Sequence, residues 1–459
     1  MSVAGARGMS KDFTQGSIPR QLLLFMLPFM ASNALQVLYS TIDMIIVGQY
    51  VGTPGLSAVS QSSQILNFAT MVCFGFSSAG QVLISQALGA GKRKEMSRII
   101  GTLFGLITII AVALSAVAVG GRHLIMDVMN IPAESYAYTE DYLVICGAGL
   151  FFTAGYNMVS AVLRGMGDAR RPFLFIGIAS AVNLVLDILF TGILGWEVAG
   201  AAWATIIGQA VSFLFSVWYL YRRREAFGFD FSRKSFQMSG HYTKMLLSLG
   251  APMAVQSGCI NLSMLYVNAL INDVGVVESA TFGVGVRIDD IINKISQGIQ
   301  FASLPMISQN IAAGQQKRAV KVVHWTWIYS FIMTVISMAA YLLFGKQMFV
   351  LFSDDTAVHA LSGTFIKGIL WVFPALALMR GSGAFIQGIG NASLSMVLAL
   401  LDGVVLRIGL SWLFGIALGL GFYGFVLGYA LAAYGCAIPG MIYFVSGIWK
   451  KRRVLAEDI

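Results

Sequence analysis

The sequence predicts an all-α integral membrane protein: twelve transmembrane helices in two six-helix lobes related by a pseudo-two-fold axis along the membrane normal. Three observations lead there. The 459 residues are 57% hydrophobic and only 11% charged, with a mean hydropathy of +0.77, whereas a soluble chain carries about a quarter charged residues. The apolar residues gather into runs of the roughly 20 residues that a bilayer core requires. The chain also resembles itself at a fixed offset. Soluble enzymes, nucleic-acid binders and disordered proteins are excluded by the first observation alone.

The twelve predicted spans cover approximately 20–47, 56–86, 97–119, 137–162, 173–195, 198–221, 245–271, 279–306, 322–344, 361–386, 395–418 and 423–448. The runs are too long, and lack the alternation, for barrel strands. Loop charges set the orientation. Arg7, Lys11 and Arg20 share a side with Lys92, Arg93, Lys94 and Arg98, and then with Arg164, Arg170 and Arg171. Arg222, Arg223, Arg224, Arg233, Lys234 and Lys244 follow in the central loop, with Lys317, Arg318 and Lys321 after them and Lys450, Lys451, Arg452 and Arg453 in the tail. The opposite loops hold only Arg122 and Lys346. The positive-inside rule then places both termini in the cytoplasm of a plasma (inner) membrane protein. It also accounts for the net charge of +9 without a nucleic-acid partner. The polar segment 1–16 lacks the apolar core of a cleaved signal peptide. The cysteines Cys73, Cys146, Cys259 and Cys436 form no CxxC pair, so neither a disulfide nor a metal site is expected.

At an offset of 223 residues, Ile84-Ser85-Gln86 recurs as Ile307-Ser308-Gln309 and Ala90-Gly91 as Ala313-Gly314. Gly165-Met166-Gly167-Asp168-Ala169 recurs as Gly388-Ile389-Gly390-Asn391-Ala392, and Pro28 pairs with Pro252 after a one-residue gap. The expected organisation is a cytoplasmic segment 1–19, an N-lobe 20–221, a basic linker 222–244, a C-lobe 245–448 and a tail 449–459. Parallel repeats of this kind are a layout of alternating-access carriers, and one chain supplies both lobes, so a monomer suffices.

Polar residues inside spans are costly and mark function. The first span carries Asn33, Gln36, Ser40 and Asp43 on one helical stripe, with Tyr39 adjacent. The fifth carries Asn183 and Asp187 at i and i+4, and the sixth Thr205 and Gln209 at the same spacing. At 1.5 Å per residue, Asp43, Asp187 and Thr205 each fall about 10 Å beneath the outer boundary, with Asn183 one turn deeper. Two carboxylates, an amide and a hydroxyl at one level suit either a proton-binding pair or an oxygen site for a small cation. The second half lacks this set, since Asp43 aligns with Tyr266 and Asp187 with Leu410. It carries Arg287, Asp289, Asp290 and Lys294 in its second span, and Arg380 and Asp402 fall at depths where they could pair. These six have no assigned role. Pro28 and Pro252 interrupt the first span of each half, as static bends or as hinges.

These features together resemble the multidrug and toxic compound extrusion (MATE) family over about 15–450. The resemblance rests on the two halves, the Pro28…Gln36…Tyr39…Asp43 series and the repeated Ser-Gln…Ala-Gly segments. The Leu163-Arg164-Gly165-Met166-Gly167-Asp168 turn and Asn183…Asp187 add to it. It implies a cation-coupled antiporter, driven by Na⁺ or H⁺, that exports cationic or amphipathic organic compounds without a cofactor, and that is not an enzyme. It further implies that Asp43, Asn183, Asp187 and Thr205 form the cation site. Gln36, Tyr39, Asn157 and Gln209 form the substrate cavity, and Pro28 the bend of the first helix. The chain departs from the NorM-like branch, which places acids in helices seven and ten where Gln256, Asn261 and Arg380 stand here. The implied cation site is therefore the N-lobe, DinF-like one. The alternative is a flippase for lipid-linked oligosaccharides of a related helical plan.

Overall fold

The structure, a computed structural model, describes residues 12–224 and 229–459, except for the side chains of Ser257, Asn261 and Leu262. Arg7 and Lys11 of the basic N-terminal segment, residues 225–228 of the linker and the Asn261 side chain therefore lie outside the described residues. All regular structure among the described residues is helical.

The first half comprises α1 (Ile18–Tyr50), α2 (Thr53–Gly89), α3 (Arg93–Gly120), the short α4 (Arg122–Val128), α5 (Ala133–Ala148), α6 (Leu150–Gly165), α7 (Arg170–Asp187) and α8 (Glu197–Arg222). The second comprises α9 (Gly240–Asn272), α10 (Val276–Ala312), α11 (Gln316–Phe352), α12 (Thr356–Ile369), α13 (Val372–Gly388), α14 (Ala392–Leu400), α15 (Arg407–Trp412), α16 (Gly421–Ala432) and α17 (Tyr434–Ser446). Wider π-turns follow α7 (Ile188–Ile193), α14 (Leu401–Leu406) and α15 (Leu413–Ala417).

Among the described residues, nine helical segments are long and apolar enough to cross a membrane, and two bent pairs bring the number to eleven. The twelfth is α10, 37 residues long, whose first half carries Glu278, Arg287, Asp289, Asp290 and Lys294 and whose second half is rich in Ser, Gln and Asn. The fourth and tenth spans, expected as single helices, are each broken: α5 meets α6 at 46° and α12 meets α13 at 44°. The first break lies at Gly149, where an added Cβ would stand 2.3 Å from the Ile206 side chain. A larger residue there would have to displace the Ile206 side chain of α8.

The repeated motifs are helix stops. At the end of α2 the Lys92 N–H donates to Ala87 O (2.9 Å) and Gly91 N–H to Leu88 O (3.2 Å), with Gly91 left-handed at φ +74°. This is the Schellman pattern, which only glycine enters without strain. The end of α10 repeats it, Gln315 to Asn310 O (2.8 Å) and Gly314 to Ile311 O (3.0 Å). A second buried contact is also duplicated at the 223-residue offset: Ser85 Oγ donates to Gly165 O, and Ser308 Oγ to Gly388 O, both at 3.0 Å. The repeat is thus a repeat of contacts.

Two compact units emerge, one built mainly of residues 31–254, the other of 13–30 and 255–458. The handovers fall inside α1 and α9, not in the linker, and each comes two residues after a proline, Pro28 or Pro252. Matched glycines hold these segments. A Cβ on Gly75 of α2 would stand 2.9 Å from Ala254 N, and one on Gly298 of α10 would stand 2.8 Å from Met30 N. Backbone cannot step aside as a flexible side-chain tip can. Gly75→Ala and Gly298→Ala are therefore each expected to cost about 1–3 kcal/mol by overpacking, read as a lower unfolding midpoint of the purified protein.

Candidate functional site

The site forms in the first unit where α1, α7 and α8 converge. Small residues let α7 and α8 approach: a Cβ on Gly208 would meet Ala179 O at 2.9 Å, and one on Gly200 would meet the Phe190 carbonyl carbon at 2.9 Å. Such small-residue seams are how membrane helices pack closely. The approach brings Asn183 Nδ2 to donate to Thr205 Oγ1 at 3.4 Å. At the far end of α1 the Tyr50 ring covers Gly192 in the π-turn, which draws α1 against α7.

Asp187 is the last residue of α7, and the backbone widens directly after it, with Leu194 N–H donating to Leu189 O at 2.8 Å across five residues. Wider turns of this kind recur at functional sites. The carboxyls of Asp43 and Asp187 face one another closely enough to interact, and they are 6% and 1% exposed. Asp43 Oδ1 and both Asp187 oxygens find no hydrogen-bond donor. A buried polar atom without a partner carries an unrecovered desolvation penalty. Two such acids in contact form a site that a cation would complete.

Beside the carboxyls lies a narrow, closely packed pocket lined by Tyr39, Ile176, Ala179, Ser180, Asn183, Thr205, Gly208 and Gln209. Gln209 Oε1 and Ser180 Oγ are buried there without partners. The structure thus brings together six of the expected residues: Asp43, Asn183, Asp187, Thr205, Tyr39 and Gln209. It does not bring in Gln36, which is exposed on α1, or Asn157, half-buried on α6; neither lines this pocket. Pro28 lies within α1, which runs through it as one helix.

Sequence reasoning missed Tyr142 and Cys146 of α5. Tyr142 is buried with its hydroxyl beside Thr205 and near Asp43, and Cys146 Sγ contacts Ala202 O at 3.7 Å. Their spacing of four residues, one helical face, was the available signal. Apart from the Cys146 thiol, which is turned to Ala202 O, the ligating groups are oxygens: two carboxylates, an amide and hydroxyls. Hard donors of this kind suit a proton or an alkali cation and not a soft transition metal.

The charges of the second half are arranged differently from the expected Arg380–Asp402 pair. Asp402 instead accepts from Arg407 NH2 at 3.1 Å, and the Arg407 guanidinium lies 4.9 Å from the Tyr429 ring centroid. Tyr429 in turn donates to Asp289 Oδ2 at 3.3 Å. The π-turn decides this pairing. Residues five apart diverge on a regular α-helix, but here the Arg407 N–H donates to Asp402 O, so the two side chains share a face.

Comparison with known proteins agrees with this architecture. The MatE family model matches residues 28–189 and 252–413, each match starting at one of the two prolines inside α1 and α9. The chain is 28% identical over 446 residues to the probable multidrug resistance protein YpnP of Bacillus subtilis, covering 97% of this chain and 99% of that one. It is 24% identical over 448 residues to the probable multidrug resistance protein NorM of Thermotoga maritima, covering 96% and 95%. Its fold matches an outward-facing multidrug resistance MATE family transporter of the MOP superfamily with a TM-score of 0.91, at 21% identity, covering 99% of this chain and 100% of that chain.

Proposed function

The chain belongs to the MatE family, and from that premise we propose that it exports cationic or amphipathic organic compounds by alternating access, in exchange for Na⁺ or H⁺ entering at Asp43 and Asp187. One observation carries the reading: two facing, buried carboxyls, three of whose four oxygens have no hydrogen-bond partner. Their charge is satisfied only when a cation joins them. Asn183 and Thr205 supply further oxygens, and the adjoining pocket with Tyr39 and Gln209 is where cation occupancy is felt by substrate. The relatives named as multidrug resistance proteins support the substrate class, and none of the reported relatives favours the oligosaccharide-lipid flippase.

Exchange requires the cation and the substrate to favour different states, since a ligand shifts an equilibrium only by its differential affinity. The first helix suits that role, because it belongs to one unit up to Met30 and to the other from Ala31. A bend at Pro28 would move Asp43 relative to Asp187. The setting we propose is the plasma membrane, with both termini cytoplasmic and a monomer as the working unit.

The test is ethidium efflux from proteoliposomes under a Na⁺ gradient and, separately, a pH gradient. Efflux driven by one of them supports the exchange and names the ion. No response to either, from folded protein, sinks it. Thr205→Val keeps the shape of the side chain and removes its hydroxyl. It should weaken the coupling ion about 5–10-fold, the worth of one hydrogen bond, seen as a shift in the ion concentration that gives half-maximal efflux.

A further inference from the structure

In the second unit, away from the carboxyl pair, α10, α11 and α13 line a small, partly open pocket. Arg380 lines it at 6% exposure. No carboxylate lies within ion-pair distance of Arg380 among the described residues. Asp289 acts on it only from farther off, and accepts from Tyr429. Neutral groups hold the guanidinium: NH1 donates to Gln300 Oε1 at 3.3 Å, and NH2 to Ser296 Oγ and Asn293 O at 3.3 Å and to Asn293 Oδ1. Its Nε–H has no acceptor, and neither does the hydroxyl of Ser330, which is 3% exposed on the same pocket wall.

The repeat shows that this polarity belongs to the second half alone. At the 223-residue offset Arg380 stands where the first half has Asn157. Ser330, Thr334 and Ser337, one helical stripe on α11, stand where α3 has Ile107, Ala111 and Leu114. A buried cation and a hydroxyl with unmet donors, in a pocket that offers no acid, are complementary to negative charge.

We infer that this pocket binds an anionic group, either a small free anion or the carboxylate of an amphipathic compound, through Arg380 Nε–H and Ser330 Oγ–H. Met333 and Phe373 form apolar parts of the same wall. The site goes beyond the cation exchange proposed above and does not depend on Asp43 or Asp187.

The test is the unfolding midpoint of the purified full chain as isethionate is replaced by chloride, or by benzoate, at constant sodium and ionic strength. The expected result is a saturable rise with at least one of the two. A chloride response assigns a free-anion site, and a response to benzoate alone assigns the carboxylate of an amphipath. Half-saturation should move up at least tenfold in Arg380→Gln and severalfold in Ser330→Ala, and should stay in place in Asp187→Asn. Ser330→Ala decides the matter if Arg380→Gln does not fold. No saturable shift with either anion, or an unchanged half-saturation in Ser330→Ala, would overturn the site.

Discussion

Asparagine in place of Asp43, and separately in place of Asp187, is expected to reduce gradient-driven ethidium efflux to the level of empty liposomes while leaving the protein at least as stable as before. The two effects have one cause. Each carboxyl is buried against the other, and three of the four oxygens have no hydrogen-bond partner. Neutralising either side removes the like-charge contact together with an unsatisfied buried charge, and so should stabilise the fold by about 1–3 kcal/mol. The gain is largest at high pH, where both groups are ionised, and fades as protonation neutralises them. A structural ion-pair residue would behave in the opposite way, losing stability on substitution. Parallel measurements of efflux and of the unfolding midpoint at two pH values separate these cases. Full efflux in both variants would remove the carboxyl pair from the mechanism.

Asp402→Asn gives that opposite behaviour in the second half. It should destabilise the protein by about 3–5 kcal/mol, the cost of leaving one member of a buried pair uncompensated. Arg407 is 9% exposed, and its Nε already lacks a partner. Without Asp402 it would keep only the Tyr429 ring beneath it and Asp289 at longer range. Replacing both members, as Asp402→Leu with Arg407→Met, should recover most of the loss, because a buried pair exchanged for well-packed apolar groups is often neutral. Unfolding midpoints of the single and double variants check this. An unchanged midpoint in Asp402→Asn would show that the pair is not formed.

Much of this was legible in the sequence. Spans follow from apolar run length, which is a property of the bilayer more than of the partners in the fold. The duplicated stops were visible because a left-handed turn after α2 and α10 needs glycine at Gly91 and Gly314. Depth arithmetic grouped Asp43, Asp187 and Thr205 because membrane helices run straight enough for residue counts to measure height.

What stayed hidden depends on neighbours. The break at Gly149 lies where the Ile206 side chain of another helix packs closely, and a lone glycine within a span does not announce one. The Asp402–Arg407 pair needs a π-turn, and hydropathy carries no trace of a change in helical pitch. Tyr142 joins the site only through the packing of α5 against α8. Asn157 and Gln36 were placed in a cavity by resemblance alone. In the structure one is half-buried on α6 and the other exposed on α1, and neither lines the pocket beside the carboxyls. The handover of α1 between units was marked in advance only by Pro28.

The most direct test of the central claim, that the Asp43–Asp187 pair trades its cation for substrate, is cation release on substrate binding. Ethidium is added to purified protein in weakly buffered solution containing a pH indicator, and in a parallel sample to protein equilibrated with radioactive Na⁺. The account predicts that one of the two cations is released as ethidium binds, and that Asp187→Asn binds ethidium with no release. Binding of ethidium by the unaltered protein without release of either cation, or undiminished release from Asp187→Asn, would contradict it.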